Sequence, residues 1–168
     1  MSLRPAEAAV AEVLFRIFAS TREEELALSG LPAPQIEALL RMQFAAQDRQ
    51  YRAAYTGVED SVILVDGAPA GRLRVARDGE SILLLDIAVL PEHRGLGIGR
   101  SVIGDLQDEA AAFGVPLRLH VARTNRATRL YHRLGFEVEG GDEVYQAMTW
   151  TGVRATTRTG VTVARAAG

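Results

Sequence analysis

Val89-Leu90-Pro91-Glu92-His93-Arg94-Gly95-Leu96-Gly97-Ile98-Gly99-Arg100 joins two segments of different periodicity. Upstream, Ser81–Leu90 is a nearly continuous apolar run, the pattern of a strand buried on both faces. Downstream, Ile98, Val102, Leu106, Ala110 and Phe113 recur at helical spacing, and Gly114 follows as a helix stop. A buried strand that passes into a helix through alternating glycines points unpaired backbone N–H groups and the positive helix end at one spot. Phosphate is the usual guest of such a spot, and Arg94 and Arg100 flank it. Two phosphate fingerprints fail on single residues. A P-loop ends in Gly-Lys-Ser/Thr, whereas all 19 basic residues of this chain are arginine. A dinucleotide fingerprint wants glycine three residues after Gly97, where Arg100 stands. A plain tight turn would need fewer glycines than Gly95, Gly97 and Gly99 together.

Farther upstream, two helical patterns come first. Val10, Val13, Leu14, Ile17 and Phe18 predict a helix over about residues 6–20, followed by an acidic turn at residues 21–25. Pro34 opens a second helix to about Ala53, with Ile36, Leu40, Phe44 and Tyr51 on one face and Gln43 and Gln47 on the same stripe. Inward amides need partners, so they either line a cleft or sit satisfied at the rim of the core. Residues 61–66 and 70–77 read as strands joined by Asp66-Gly67, a hairpin signal. Beyond the glycine turn and its helix, residues 116–122 read as a strand and residues 125–134 as a short helix. Residues 136–139 and 144–150 then read as a closing hairpin. With an initial strand at Ser2–Arg4, the order predicts a mixed α/β domain over residues 1–150. Residues 151–168 read as an appended tail, mobile or paired to an edge, with strand-like alternation at Thr159–Val163. In a homodimer that pairing could be to a second copy.

Composition bounds the rest. A chain of 168 residues, 48% hydrophobic and 24% charged, suits one folded domain with a sufficient core. With no cysteine there is no disulfide scaffold, zinc–thiolate site or cysteine nucleophile. Without lysine there is no Schiff-base or lysine general base. A net charge of −2 argues against nucleic acid or an anionic membrane as partner. No signal-peptide pattern or membrane-length apolar run is present, so the expectation is a cytoplasmic protein.

Val89-x-Pro91-x-x-Arg94-Gly95-x-Gly97-x-Gly99 resembles the acetyl-CoA signature, Arg/Gln-x-x-Gly-x-Gly/Ala, of the GNAT superfamily of N-acetyltransferases. Asn125 followed by Leu130-Tyr131-x-x-x-Gly135-Phe136 resembles that superfamily's other hallmark, although Asn125 stands one residue closer to Tyr131 than in many relatives. The resemblance spans about residues 3–150. It implies a mostly antiparallel sheet splayed between the fourth and fifth strands and flanked by about four helices. It also implies acetyl-CoA as acyl donor, no metal, and direct transfer to a primary amine of a small molecule or peptide. The alternative is a non-catalytic acyl-CoA-binding or regulatory module on the same fold.

The resemblance implies roles residue by residue. The backbone of Ala88, Val89 and Leu90 would bond the pantetheine arm, with the Val89 N–H on the acetyl carbonyl. The amides of Arg94, Gly95, Leu96, Gly97, Ile98, Gly99 and Arg100 would cradle the pyrophosphate. Asn125 would bond pantetheine or orient the helix that follows. Tyr131 would protonate the departing thiolate, or would simply pack. For the base that relieves the amine of its proton, His120 is the first candidate, since related ribosomal-protein alanine acetyltransferases carry a glutamate there and an imidazole is suited to proton transfer. Asp86 is the second, because a carboxylate on an apolar strand needs a partner; it would otherwise be a structural ion-paired residue. On the acceptor side, Glu24 and Glu25 could attract a cationic amine, and Gln43, Gln47 and Tyr51 could line the pocket.

Overall fold

A computed structural model describes residues 4–152 and 162–165. In chain order the elements are α1 (Arg4–Ser20), α2 (Glu23–Ala27), α3 (Ala33–Ala54), β1 (Val58–Val65), β2 (Ala68–Arg77) and β3 (Ile82–Val89). A 3-10 turn (Pro91–His93) leads to α4 (Ile98–Phe113), β4 (Leu117–Ala122), α5 (Thr128–Arg133), β5 (Glu137–Gly141), β6 (Tyr145–Trp150) and β7 (Thr162–Arg165). The strands form one sheet in the order β5-β6-β4-β3-β2-β1-β7. Every neighbouring pair is antiparallel except β3 and β4, which are parallel because α4 crosses between them. This is the mixed α/β architecture the sequence predicts.

Three elements differ from expectation. The acidic segment is a helical turn, α2, with Glu23, Glu24 and Glu25 in its first turn, where the positive helix end favours them. Of the expected initial strand, residues 2 and 3 lie outside the described residues and Arg4 opens α1, so the splay falls between the third and fourth described strands. Residues 159–161 of the expected tail strand also lie outside the described residues, while Thr162–Arg165 pair with Leu64–Ser61 of β1.

Strand alternation sends Leu73, Val75, Ile82, Leu84, Leu117, Leu119, Met148 and Trp150 to one sheet face, where they meet Val102, Ile103 and Leu106 of α4 and Tyr131 of α5. The opposite face is covered by α1 and α3, whose Phe15, Phe18, Leu40 and Phe44 form a second apolar cluster. Beneath that layer β2 contributes Arg72 and Arg74, only 1% and 2% exposed. β3 carries the feature that makes a site. Its register against β2 passes from Val75↔Leu84 to Arg74↔Asp86, leaving Leu85 as a bulge. Its parallel pairing with β4 ends at the same place, at Leu84↔Leu119. A bulge bends and twists its strand, and from Leu85 to Val89 β3 runs apart from β4.

Candidate active site

The gap between β3 and β4 opens onto the glycine turn. Gly95 and Gly97 hold φ of +77° and +78°, backbone that L side chains rarely adopt, and a Cβ built on either would meet no atom within 4 Å. The turn is therefore open where side chains at Gly95 and Gly97 would stand. Gly97 caps α4, and the first intrahelical bond is from Ser101 N–H to Gly97 C=O, so Ile98, Gly99 and Arg100 keep amides with no preceding carbonyl. Ile98 is buried as the anchor of the turn, while Leu96 and Arg100 are exposed. Arg94 Nε donates to the Val89 carbonyl at 3.0 Å and ties the turn to the end of β3.

Hydrogen-bond alternation decides which β3 amides face the gap. Leu90 N–H donates to Ala70 C=O. Bonded and non-bonded pairs alternate in antiparallel strands, so Ala88↔Arg72 is also a bonded pair and Val89↔Gly71 is not. The expectation that Ala88, Val89 and Leu90 all offer amides to one ligand is thereby narrowed. Ala88 and Leu90 turn theirs to β2, whereas those of Ile87 and Val89 face the gap. Gly71, opposite Val89, is a residue the sequence reading missed: a Cβ there would lie 2.4 Å from the Ala88 carbonyl oxygen. Its signal was an isolated glycine within a strand pattern, which marks close backbone approach.

Tyr131 is 6% exposed on α5, its ring 5.7 Å from that of Phe136. Its hydroxyl has no hydrogen-bond partner among the described residues and is not among the fully buried orphan atoms. Burial, with the negative charge of Asp86 second, pushes the phenol up to about 12. Asn125 Oδ1 accepts from Ala127 N–H at 2.9 Å, the turn geometry that orients α5.

On the α1–α3 side, a cavity of about 330 Å³ is lined by Phe18, Thr21, Arg22, Gln47, Arg72, Asp86, Ile87, Ala88, Val89 and Arg94. Asp86 Oδ2 accepts from both Nε and Nη2 of Arg72, and Nη2 also donates to Gln47 Oε1 at 2.9 Å. Asp86 stays 27% exposed, with Oδ1 unbonded among the described residues. His120 shares that sheet face but not that cavity: it is exposed on β4 and lines a second one with Arg118, Glu139 and Thr149. Gln43 lines a third cavity, which shares Arg22 and Gln47 with the first. Tyr51 donates its hydroxyl to the carbonyl of the bulged Leu85 at 3.3 Å. The sequence reading missed Arg72, because an arginine in an alternating strand reads as solvent-facing until the covering helices are in place.

Known proteins share both the sequence pattern and the fold. Residues 58–138 match the model of the acetyltransferase (GNAT) domain. No curated protein matches the chain in sequence. Among solved structures, the PaiA N-acetyltransferase of Thermoplasma acidophilum in complex with coenzyme A superposes with a TM-score of 0.60 at 18% identity over 84% of this chain and 92% of its own. The ribosomal-protein-S18-alanine N-acetyltransferase of Escherichia coli gives 0.53 at 22% identity, over 66% and 81%. A GNAT family acetyltransferase of Elizabethkingia anophelis with acetyl-CoA bound gives 0.54 at 16% identity, over 63% and 82%. At these identities the likeness is one of fold.

Proposed function

Because residues 58–138 match the GNAT acetyltransferase domain, we propose that the protein transfers the acetyl group of acetyl-CoA directly to a primary amine. One observation carries the reading: β3 leaves β4 at the Leu85 bulge, so two unpaired strand amides and the open glycine turn face one elongated ligand. The coenzyme A complexes of structural relatives support that choice of ligand. Residues 1–150 then act as the transferase domain, with 151–168 appended to it.

Acetyl-CoA supplies an activated thioester; the chain supplies position and protons. The amides of Gly95 through Arg100 hold the pyrophosphate, with open space at Gly95 and Gly97 where side chains would stand. The Val89 N–H donates to the acyl oxygen as charge gathers there, a large term when the donor is fixed in advance. Asp86 takes the amine proton at Oδ1, its other oxygen being held by Arg72. Tyr131, kept protonated by burial, gives its proton to the sulfur. One bond forms, amine nitrogen to acyl carbon; one breaks, acyl carbon to sulfur. Asp86 is preferred to His120 as base because it shares a cavity with Val89 and Arg94.

The test is a thermal-shift titration with acetyl-CoA, CoA, ATP and NAD. A ligand bound only by the native state raises the melting temperature by mass action. The expected result is a rise with the two CoA species alone, followed by thiol release in the presence of an amine. No rise with either would overturn the reading; a rise without turnover of any amine would leave a CoA-binding module.

A further inference from the structure

The cavity beside Val89 has a charge pattern that selects its guest. Arg22, Arg72 and Arg94 line it against a single carboxylate, Asp86, which Arg72 already engages. Arg94 is anchored on the Val89 carbonyl beside the glycine turn, at the donor end. Arg22 also lines it, its guanidinium 4.1 Å over the Phe18 ring and in no ion pair among the described residues. Arg72, 1% exposed, also lines it, its guanidinium packed over the Phe18 and Phe44 rings. Three guanidinium groups set against one carboxylate that is already engaged leave the cavity with an excess of positive charge, which an anionic oxygen neutralises.

We infer that the acceptor is an amine that also bears a carboxylate, an α-amino acid or close analogue, with its carboxylate between Arg22 and Arg72 and its amine at Asp86. This rests on the acetyl-transfer reading and narrows it. A polyamine would bring positive charge to Arg22 and Arg94 and find only one carboxylate, already paired. The volume suits a small molecule. The adjoining cavity, which shares Arg22 and Gln47 and adds Glu25, Gln43 and Gln50, has room for a polar side chain.

The experiment measures thiol release from acetyl-CoA with common L-amino acids, their carboxamides and spermidine, alongside the acetyl-CoA thermal shift. For at least one amino acid, kcat/KM should exceed that of its carboxamide by about 10- to 100-fold, the worth of a charge-assisted hydrogen bond. Arg22→Gln should erase most of that ratio by raising KM for the acid far more than for the carboxamide, with the acetyl-CoA shift retained, and Arg22→Lys should restore part of it. An acetyl-CoA shift with carboxamides or spermidine used as well as the acids, or with none of the panel used, overturns the inference while CoA binding stands. Absence of the shift removes the acetyl-transfer reading and this one with it.

Discussion

Burial decides what Tyr131 can contribute. A phenol pushed up to about 12 by desolvation, with Asp86 adding to the effect, stays protonated throughout the physiological range. It can donate a proton but cannot serve as base. Tyr131→Phe should therefore lower kcat by about 10²- to 10⁴-fold with KM for acetyl-CoA little changed, read by steady-state kinetics. The same burial sets an alkaline limit on stability. The native state holds this proton more tightly than the unfolded chain, so the contribution is complete below the unfolded value near 10 and lost as pH rises toward 12. Denaturant melts across that window should show wild type losing stability relative to Tyr131→Phe. At Gly97 the constraint is the backbone. A φ of +78° disfavours a β-branched side chain, which would also fill the open side of the turn. Gly97→Val should cost about 1–3 kcal/mol of stability and abolish the CoA thermal shift. A folded variant that binds CoA normally would sink the phosphate-cradle assignment.

Among the elements, β3 joins fold to chemistry, and here the sequence is only partly legible. Its apolar run, its end at Pro91 and the glycine turn are local signals, so the strand, the turn and α4 can be read in advance. The Leu85 bulge cannot, because it exists only against the register of β2. Nor can the division of amides that leaves Val89 free, which follows from Leu90 bonding Ala70. His120 and Asp86 both look plausible as bases on a linear chain, and only the tertiary arrangement separates the cavities they line. Gly71 tests the link between register and chemistry. An added Cβ would stand 2.4 Å from Ala88 O and 3.3 Å from Val89 Cα, both backbone atoms, so β3 must shift. Gly71→Ala should cut kcat by roughly tenfold or more, since displacements near 1 Å at a reacting centre can cost about 100-fold. Its stability cost should stay within about 1–3 kcal/mol. Kinetics paired with melts would separate the two, and unchanged kcat would show that the Val89 amide need not be held where it is.

For the whole molecule, the question is what holds the α1–α3 layer on a sheet face that carries arginines. Arg74 donates to Asp60 through Nε and Nη2 at 2.6 and 2.8 Å, and Nη2 reaches Asp48 of α3 at 2.8 Å. Arg52 of α3 also reaches Asp48 and Asp60, and Arg72 holds Gln47. The helix that contributes Gln47 to the cavity beside Asp86 is thus clamped to β1 and β2 by buried charge as well as by Phe18 and Phe44. Residues 70–75 give no warning of this, since Arg72 and Arg74 fall on the face an alternating strand usually turns to water. Only the burial of that face under helices reverses the reading. Such a pair is costly to break from one side, because the surviving charge stays buried. Asp60→Ala should therefore lose about 3–5 kcal/mol, a fall in melting temperature on the order of 10 °C for a chain of this size. Replacing both partners, Asp60→Leu with Arg74→Met, should recover most of the loss, because an apolar pair of similar volume carries no desolvation cost. Chemical denaturation of the two variants decides it. An Asp60→Ala protein within about 1 kcal/mol of wild type would mean that apolar contacts alone dock the helices.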